Sequence, residues 1–360
     1  MRKPFTPDTA RAWVDVDLDS LVRNARSYAA RVGVPLLPMV KADGYGIGAV
    51  AVSRALAETE PWGYGVATVD EARELYVNGI VRPIVIFSPL VPAMIEYITA
   101  IAARPVIGDL EALRAWLGQG TGPFHLEIDT GMARSGLRWD DPDALAEARN
   151  LLADVSGWEG IFTHFHSAER NSAATAVQWL RLQESIVALG RRPPLVHAAN
   201  SAAGAAGKPY SGDLARPGIH LYGGRVAGFD AVRVAALRAR VVAVRRLAAG
   251  DTVSYEATWC VPNPTTIATL AIGYADGLSR RLSNGGAVEL LGHRVRIVGR
   301  VCMDHVMVDA GELPVAIGDV ATLFGGIVTL DEQAALAGTI SYEVLTGLGS
   351  RLPRRYLPRE

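Results

Sequence analysis

The chain has 360 residues, of which 49% are apolar and 20% are charged, and its formal net charge is −1. This balance predicts a folded protein of one large domain or two, and it indicates no preference for nucleic acid or an acidic membrane surface. The two cysteines favour a reducing, cytoplasmic setting, and we expect neither a signal peptide nor a membrane-spanning segment.

The first part of the chain repeats one pattern, a short apolar run followed by a turn and a helical stretch. A strand-like segment, Trp13–Asp17, and a helical segment, Asp19–Val32, with Asp19 or Ser20 as its cap, precede it. Eight apolar runs then predict strands: Leu36–Lys41, Gly63–Val69, Ile84–Ser88, Pro105–Gly108, Phe124–Asp129, Gly160–Phe165, Leu195–Ala198 and Leu214–Leu221. Helical patterns between them cover Asp70–Asn78, Pro92–Ile101, Asp109–Leu117, Pro142–Leu152 and Ala174–Leu189, with Asp70 and Asp109 as caps.

Consecutive βα units of this kind favour a (β/α)₈ TIM barrel. An open α/β sheet with helices on both faces is the alternative, but such sheets rarely contain eight parallel units in a row. The predicted fold class is therefore α/β, with the barrel in residues 1–230.

After about Arg225 the pattern changes to Val-, Ile- and Thr-rich runs separated by glycine turns. The predicted strands are Ala235–Leu247, Thr265–Tyr274, Ala287–Leu291, Val295–Val308 and Gly318–Phe324, and a helical stretch follows around Tyr342–Leu348. These runs predict a mostly antiparallel β domain in residues 231–360, which the Trp13–Asp17 strand is a candidate to join.

Lysine is rare in this chain, with three examples among 36 basic residues. Lys3 is in the N-terminal tail and Lys208 is in a Gly/Ala-rich loop, whereas Lys41 ends the first predicted strand. Unlike a guanidinium, an amine can lose a proton and act as a nucleophile or base, and burial lowers its pKa. Lys41 is therefore the candidate reactive residue.

Other reactive residues follow the later predicted strands. They are Asp129–Arg134 after the fifth strand, His164–Ser167 at the sixth, His197–Ser201 at the seventh, and Arg216–Ile219 within the eighth. Each has an ordinary structural interpretation, such as a histidine that satisfies a core hydrogen bond. Because barrel enzymes place their chemistry at the carboxyl ends of the strands, together they predict a shared site.

Pyridoxal 5′-phosphate (PLP) suits this set of residues. Lys41 would hold its aldehyde as an imine. The Ser201 and Tyr45 hydroxyls, with the backbone N–H groups of Gly218 and Ile219, would bind the phosphate.

The pyridine ring would lie between His164 and Arg216, with Arg216 at the ring nitrogen. An arginine there cannot accept the proton that a carboxylate partner would stabilise on that nitrogen. Such a site favours removal and return of a Cα proton over transamination.

Motifs along nearly the whole chain resemble those of bacterial alanine racemases, beginning with the PLP-lysine signature at Val40–Gly46. The others are Asp129–Met132 with Arg134, Thr163–Phe165, His197 with Asn200–Ser201, Arg216–Gly223, Val253–Tyr255, Ile272–Gly277, Gly299–Asp304 and Ile340–Glu343. One such motif would be weak support, but their occurrence in order is highly specific.

The resemblance implies a fold-type III PLP enzyme that works as a homodimer, with each active site between one barrel and the partner's β domain. Lys41 would be the Schiff-base lysine and the base on one face of Cα. Tyr255 from the partner subunit would be the base on the opposite face, as racemisation requires. A phenol is a weak acid, so Tyr255 needs a nearby cation, for which Arg134 is the family's candidate.

The remaining roles come from the same resemblance. The Met303 backbone would hold the substrate carboxylate, and Tyr274 would narrow the entrance. The family's cofactor contacts map to Tyr45, His164, Asn200, Ser201, Arg216, Gly218, Ile219 and Tyr342, and no metal is expected.

The chain departs from the family pattern at a few positions. Glu127 stands where many members carry a lysine that becomes carbamylated, and we predict that it pairs directly with Arg134; the alternative is that it pairs elsewhere in the barrel interior. Ile47 stands where histidine is common, and Glu256 where glycine is common. Both could alter the edge of the site.

Several alternative functions remain open. His164 and His166 have metal-ligand spacing, which allows a metal-dependent barrel hydrolase. A racemase for other amino acids also fits, as does a PLP decarboxylase or a non-catalytic PLP-binding protein, although Arg216 and the β domain argue against the last two. For a racemase, D-alanine supply for the cell wall and L-alanine catabolism both remain possible.

Overall fold

The computed structural model describes residues 9–170, 172–207 and 210–358, so Lys3 and Lys208 lie outside it. The strands are β1 (Ala12–Val16), β2 (Tyr64–Val66), β3 (Ile84–Pro89), β4 (Arg104–Ile107), β5 (Phe124–Asp129), β6 (Leu137–Arg138), β7 (Trp158–Phe162), β8 (Leu195–His197), β9 (Ala235–Leu247), β10 (Thr252–Val253), β11 (Trp259–Cys260), β12 (Thr265–Leu270), β13 (Ala287–Leu290), β14 (His293–Val298), β15 (Val306–Gly311), β16 (Val320–Phe324) and β17 (Arg354–Tyr356). The helices are α1 (Leu18–Val32), α2 (Lys41–Gly46), α3 (Ala49–Leu56), α4 (Val69–Val77), α5 (Ile95–Ala100), α6 (Leu110–Gln119), α7 (Pro142–Leu152), α8 (Ser172–Ala188), α9 (Ser201–Ala205), α10 (Leu330–Leu336) and α11 (Ser341–Thr346).

A parallel sheet in the order β2-β3-β4-β5-β7-β8 forms most of the barrel, with helices following its strands. The segment from Leu36 to Val40 closes it by parallel bridges Leu36–Ala215 and Met39–Gly65. The first and eighth predicted strands are therefore bridging segments rather than regular strands. Prolines at 38 and 217 lack the N–H that a continuous ladder needs. The predicted barrel is confirmed.

Helix caps match the prediction only in part. Asp109 is the cap of α6, because its carboxylate accepts a hydrogen bond from Ala112 N at 2.7 Å. The prediction of Asp70 was wrong, since α4 begins after Thr68 with Glu71 completing a capping box. The cap of α1 is Asp17 rather than Asp19 or Ser20.

The second sheet is mostly antiparallel and has the order β12-β15-β14-β13-β16-β9-β1-β17. The N-terminal strand β1 lies within it, antiparallel to β9 and parallel to β17. The predicted run Val295–Val308 is two strands, β14 and β15, because Gly299 turns the chain at a φ of 72°. The loop between them carries Met303.

The two parts of the chain meet beside the turn that follows Lys41. Arg354 donates to the Gly46 carbonyl at 2.9 Å, and the Tyr356 hydroxyl donates to the Ile47 carbonyl at 3.0 Å. A methyl group on Gly46 would lie 2.3 Å from the Leu345 carbonyl oxygen, so helix α11 packs directly on this turn. Among the residues described, no helix is long and apolar enough to cross a bilayer.

Candidate active site

A cavity of about 230 Å³ lies at the carboxyl end of the barrel strands. Its walls contain most of the predicted site residues: Lys41, Tyr45, Arg134, His164, Asn200, Ser201, Arg216, Gly218 and Tyr342. Met39, Ala42, Phe87 and Thr346 complete the lining. The structure therefore brings these predicted side chains together at one end of the barrel.

Lys41 begins a short left-handed turn. Ala42, Asp43, Gly44 and Tyr45 all have φ between 53° and 59°. A left-handed conformation costs about 1–2 kcal/mol for each residue other than glycine, so surrounding contacts must hold it. The Asp43 carboxylate accepts from Ala49 N at 2.8 Å, and the Glu71 carboxylate accepts from Ala42 N at 2.7 Å.

The surroundings of the Lys41 amine disfavour its charged form. Burial lowers its pKa, the positive charges of Arg134 and Arg216 lower it further, and Glu71 opposes them. A neutral amine is the form that attacks a carbonyl or accepts a proton. Lys41 is thus suited to both of its predicted tasks.

Arg216 is a buried cation without a carboxylate partner. Burial lowers its pKa to about 10, which leaves it protonated at neutral pH. Among the described residues no carboxylate lies within 4.0 Å of it. Its Nη2 donates to the Thr163 carbonyl at 2.9 Å, and its Nη1 donates to His197 Nδ1 at 2.7 Å.

A chain of histidines continues from Arg216 through the barrel interior. Since a guanidinium can only donate, His197 must carry its proton on Nε2, which donates to His125 Nδ1 at 2.8 Å. His125 then donates from Nε2 to Glu159 at 3.3 Å. Burial lowers the pKa of both histidines, which favours the neutral forms that these hydrogen bonds require. The chain holds Arg216 in one orientation.

Sequence reasoning missed His125 and Glu159. The signal available was polar side chains in strands that otherwise consist of apolar residues. His125 lies two residues before Glu127 on β5, and alternate residues of a strand share a face. That spacing indicated that both face the barrel interior.

His164 flanks the cavity and is neutral. Burial lowers its pKa to about 3, and the charges of Arg216 and Arg134 contribute. Gln178, another residue that sequence reasoning missed, donates to the His164 carbonyl at 3.1 Å and so holds the segment that follows β7.

His166 does not line the cavity that His164 lines. It is exposed, and its Nδ1 lies 2.6 Å from the Ser167 hydroxyl. Within the described ranges, no three His, Cys, Asp or Glu side chains form a group that could hold a metal ion. The structure thus brings no further ligand to the spacing that suggested a metal-dependent hydrolase.

Tyr45, Ser201 and Gly218 form another part of the cavity wall. Ser201 Oγ accepts from Gly218 N at 2.9 Å. A methyl group on Gly218 would lie 2.2 Å from the Tyr45 hydroxyl, so this position requires glycine. We call the space between Gly218, Ser201 and Tyr45 the cradle. Tyr45 stacks on Tyr222 with ring centroids 4.3 Å apart, and the buried Tyr222 hydroxyl donates to the Met39 carbonyl at 2.8 Å.

Two of the predicted cofactor contacts have other positions or tasks. Asn200 lines the cavity, but its side-chain oxygen caps α9 by accepting from Ala203 N at 3.0 Å. Ile219 is buried and is not among the residues that line the cavity, and the contact predicted for its backbone N–H stays a prediction.

Comparison with known proteins agrees with this site. Residues 16–226 match the family model described as alanine racemase, N-terminal domain, and residues 234–356 match that of the C-terminal domain. The alanine racemase of Desulfosudis oleivorans is 37% identical, with 96% of each chain covered. That of Deinococcus deserti is 36% identical over 97% of this chain and 99% of the relative.

The chain belongs to the alanine racemase family. Its fold is similar to a solved structure from Bartonella henselae with covalently bound pyridoxal phosphate (TM-score 0.90, 29% identity, covering 97% and 100% of the two chains). It is equally similar to the Bacillus anthracis alanine racemase with bound L-Ala-P (TM-score 0.90, 30% identity, 99% and 96%). The family resemblance read from the sequence is confirmed.

Three predicted site residues of this alanine racemase family member lie outside its own cavity. Tyr255, Met303 and Tyr274 are 69%, 52% and 44% exposed on loops of the β domain. These loops are joined to one another, since Tyr274 N donates to the Cys302 carbonyl at 3.0 Å and Ser254 Oγ donates to the Arg300 carbonyl at 2.7 Å. They form one exposed region.

The predicted ion pair between Glu127 and Arg134 was wrong. Glu127 is buried and accepts from Ser135 Oγ at 2.7 Å, while Arg134 lies exposed at the cavity rim. No N–O distance of 4.0 Å or less joins the two side chains, both of which the structure describes. The carboxylate of Glu127 is bound by Ser135, and Arg134 acts on it only through its charge, which lowers the Glu127 pKa.

Proposed function

We propose that this chain is a PLP-dependent alanine racemase, an isomerase that interconverts L-alanine and D-alanine. The observation that carries the proposal is one cavity holding the Lys41 amine, whose pKa is lowered, and an arginine without a carboxylate partner. Family membership and the ligands named for the relatives from Bartonella henselae and Bacillus anthracis support it.

The residues of the cavity fit pyridoxal 5′-phosphate. Gly218 leaves a cradle that a methyl group would fill, beside Ser201 and Tyr45. Tyr342 from the β domain reaches the same end of the cavity. Backbone N–H and hydroxyl groups of this kind bind phosphate. When bound, the cofactor supplies an aldehyde that an amine can hold and a ring that acidifies the Cα proton of an amino acid.

Arg216 would donate a hydrogen bond to the ring nitrogen and keep it unprotonated. His197 fixes the guanidinium by accepting from Nη1, since its Nδ1 carries no proton. This arrangement favours proton exchange at Cα. A decarboxylase or transaminase would instead place a carboxylate at this position.

Two bases would act on opposite faces of the substrate. Lys41 Nζ would take or return the Cα proton on one face, and the Tyr255 hydroxyl would do so on the other. Tyr255 is exposed in its own subunit, so it would enter the cavity of a second copy, where Arg134 at the rim supplies positive charge. Tyr274 would narrow the entrance and the Met303 backbone would hold the substrate carboxylate.

The assembly that follows is a homodimer with shared sites. We take residues 1–230 as the PLP-binding domain and 231–360 as the β domain that is offered to the partner. Cys260 and Cys302 are free thiols, and a cytoplasmic location accords with them.

The test is proton exchange measured separately for the two enantiomers in D₂O, with the purified holoenzyme. Tyr255→Phe should retain the absorption band of the bound cofactor. Borohydride reduction should still attach the cofactor to the peptide that contains Lys41. The variant should slow exchange from one enantiomer by about 10²–10⁴-fold and leave the other largely intact. Tyr97→Phe, at 62% exposure, is the matched control.

The proposal fails if alanine is not racemised while another amino acid in a panel is, which would indicate a different specificity. It also fails if the protein binds stoichiometric metal and shows no cofactor band, which would indicate the hydrolase.

A further inference from the structure

We propose that Glu71 is a positioning residue for Lys41, because its carboxylate fixes the peptide that follows the amine and keeps a negative charge beside it. This inference rests on the proposed function of Lys41 and adds to it a residue for which neither the family motifs nor the cavity lining suggests a role.

The carboxylate of Glu71 joins two strand ends at the mouth of the barrel. Its Oε1 accepts from Ala42 N at 2.7 Å. Its Oε2 accepts from Ala67 N at 2.6 Å and from Thr68 N at 3.3 Å. One side chain therefore fixes the Lys41–Ala42 peptide relative to the segment after β2, in addition to capping α4.

The Lys41 turn needs such a contact. Ala42 is the first residue of the left-handed stretch, so the Glu71 bond acts where the backbone leaves its ordinary conformation. Strained backbone persists only where the surroundings determine it. Loss of this acceptor would release the first strained peptide, and with it the direction of the lysine side chain.

The charge of Glu71 acts on the amine in the opposite sense to its other neighbours. Arg134 and Arg216 both lower the pKa of Lys41, and His164, which also faces it, is neutral. Glu71 is the neighbour that raises this pKa. Removal of its charge should therefore favour the neutral amine.

The experiment compares Glu71→Gln and Glu71→Ala with Thr68→Ala in the full-length chain. Thr68→Ala removes the hydroxyl that accepts from Glu71 N at 3.2 Å, and so loosens the same helix end without touching Ala42 or the charge. The first readout is competitive acetylation of Lys41 against pH, followed by peptide mass spectrometry on protein freed of PLP. The second is the rate at which hydroxylamine removes PLP from the holoenzyme.

In both Glu71 variants, Lys41 should be acetylated at least about twofold faster at neutral pH than in the unmodified protein, because more of the amine is neutral. Glu71→Ala should also lose PLP several-fold faster, and Glu71→Gln, which keeps one acceptor oxygen, should lose it at an intermediate rate. Thr68→Ala should match the unmodified protein in both readouts.

Equal effects of Thr68→Ala and Glu71→Ala would overturn the inference and leave Glu71 as a helix cap only. Unchanged acetylation in Glu71→Gln would also overturn it, and this variant keeps the test decisive if Glu71→Ala does not fold. Failure of the proposed function would look different, since Lys41 would then take up no PLP in the unmodified protein while its acetylation still reported on Glu71.

Discussion

The barrel mouth and the β-domain loops are built in opposite ways, although both are proposed to act on one substrate. The barrel mouth encloses its reactive groups: Lys41 is partly buried, and Arg216 is held by buried acceptors. The β-domain loops expose theirs, with Tyr255 at 69% exposure. Under the proposed mechanism, Tyr255 would therefore act in the cavity of a second copy.

Complementation between two inactive variants tests this difference with the largest expected effect. Lys41→Ala and Tyr255→Phe should each lose racemase activity by about 10²–10⁴-fold as separate homodimers. Mixed and allowed to exchange subunits, they should regain about a quarter of the wild-type activity, because half of the dimers are mixed and each mixed dimer has one intact site.

The matched control mixes Lys41→Ala with Lys41→Ala/Tyr255→Phe, which leaves no intact site in any dimer and should stay inactive. Chiral chromatography of alanine after mixing is the measurement. No recovery from the first mixture, with subunit exchange verified by mass, would mean that each site is contained in one subunit.

Gly218→Ala tests the pre-built side of the comparison and should have an intermediate effect. The added methyl would lie 2.2 Å from the Tyr45 hydroxyl and would displace it from the cradle. PLP affinity should fall at least about tenfold, the equivalent of one lost hydrogen bond to a charged group. Gly118→Ala, where nothing lies within 4 Å, is the control. Equal affinity for both variants in a fluorescence titration would show that this cradle does not bind the phosphate.

The smallest effects concern Glu127 and Glu159, two carboxylates of the barrel strands whose pKa values are shifted in opposite directions. Burial raises the pKa of Glu127, so its ionised form costs stability once the pH rises above the pKa of an ordinary glutamate. For Glu159, burial opposes the shift but the His125 hydrogen bond and Arg104 lower the pKa, so its stabilisation is lost as the pH falls.

Glu127→Gln should therefore raise the free energy of unfolding at neutral pH by up to about 1 kcal/mol, and Glu159→Gln should lower it by about 1 kcal/mol. The Glu127 difference should shrink as the pH falls through its raised pKa towards the pKa of an ordinary glutamate. The Glu159 difference should shrink only as the pH falls below the pKa of an ordinary glutamate. Urea unfolding at several pH values measures them. The same sign for both variants would contradict the assigned directions.

Several elements of the barrel and of the β domain could be predicted because they are local. The bounds of β5, α7 and β9 are those read from the sequence, since each has a regular period between clear turn residues. Closure of the barrel could not be read in the same way, because the segments at 36–40 and 213–217 pair through isolated bridges that depend on distant chain. The apolar pattern also predicted one continuous strand across Gly299, where a positive φ separates β14 from β15.

The sequence by itself determined the family, the barrel with its β domain, and the set of reactive residues, because motif spacing and apolar period are properties of the chain alone. Only the tertiary structure decided which of those residues share a cavity and which face outward. It also revealed the histidine chain behind Arg216, the hold of Glu71 on the Lys41 turn, and the choice of Ser135 over Arg134 as the partner of Glu127. These depend on distances of a few ångströms between residues far apart in sequence, which no local pattern encodes.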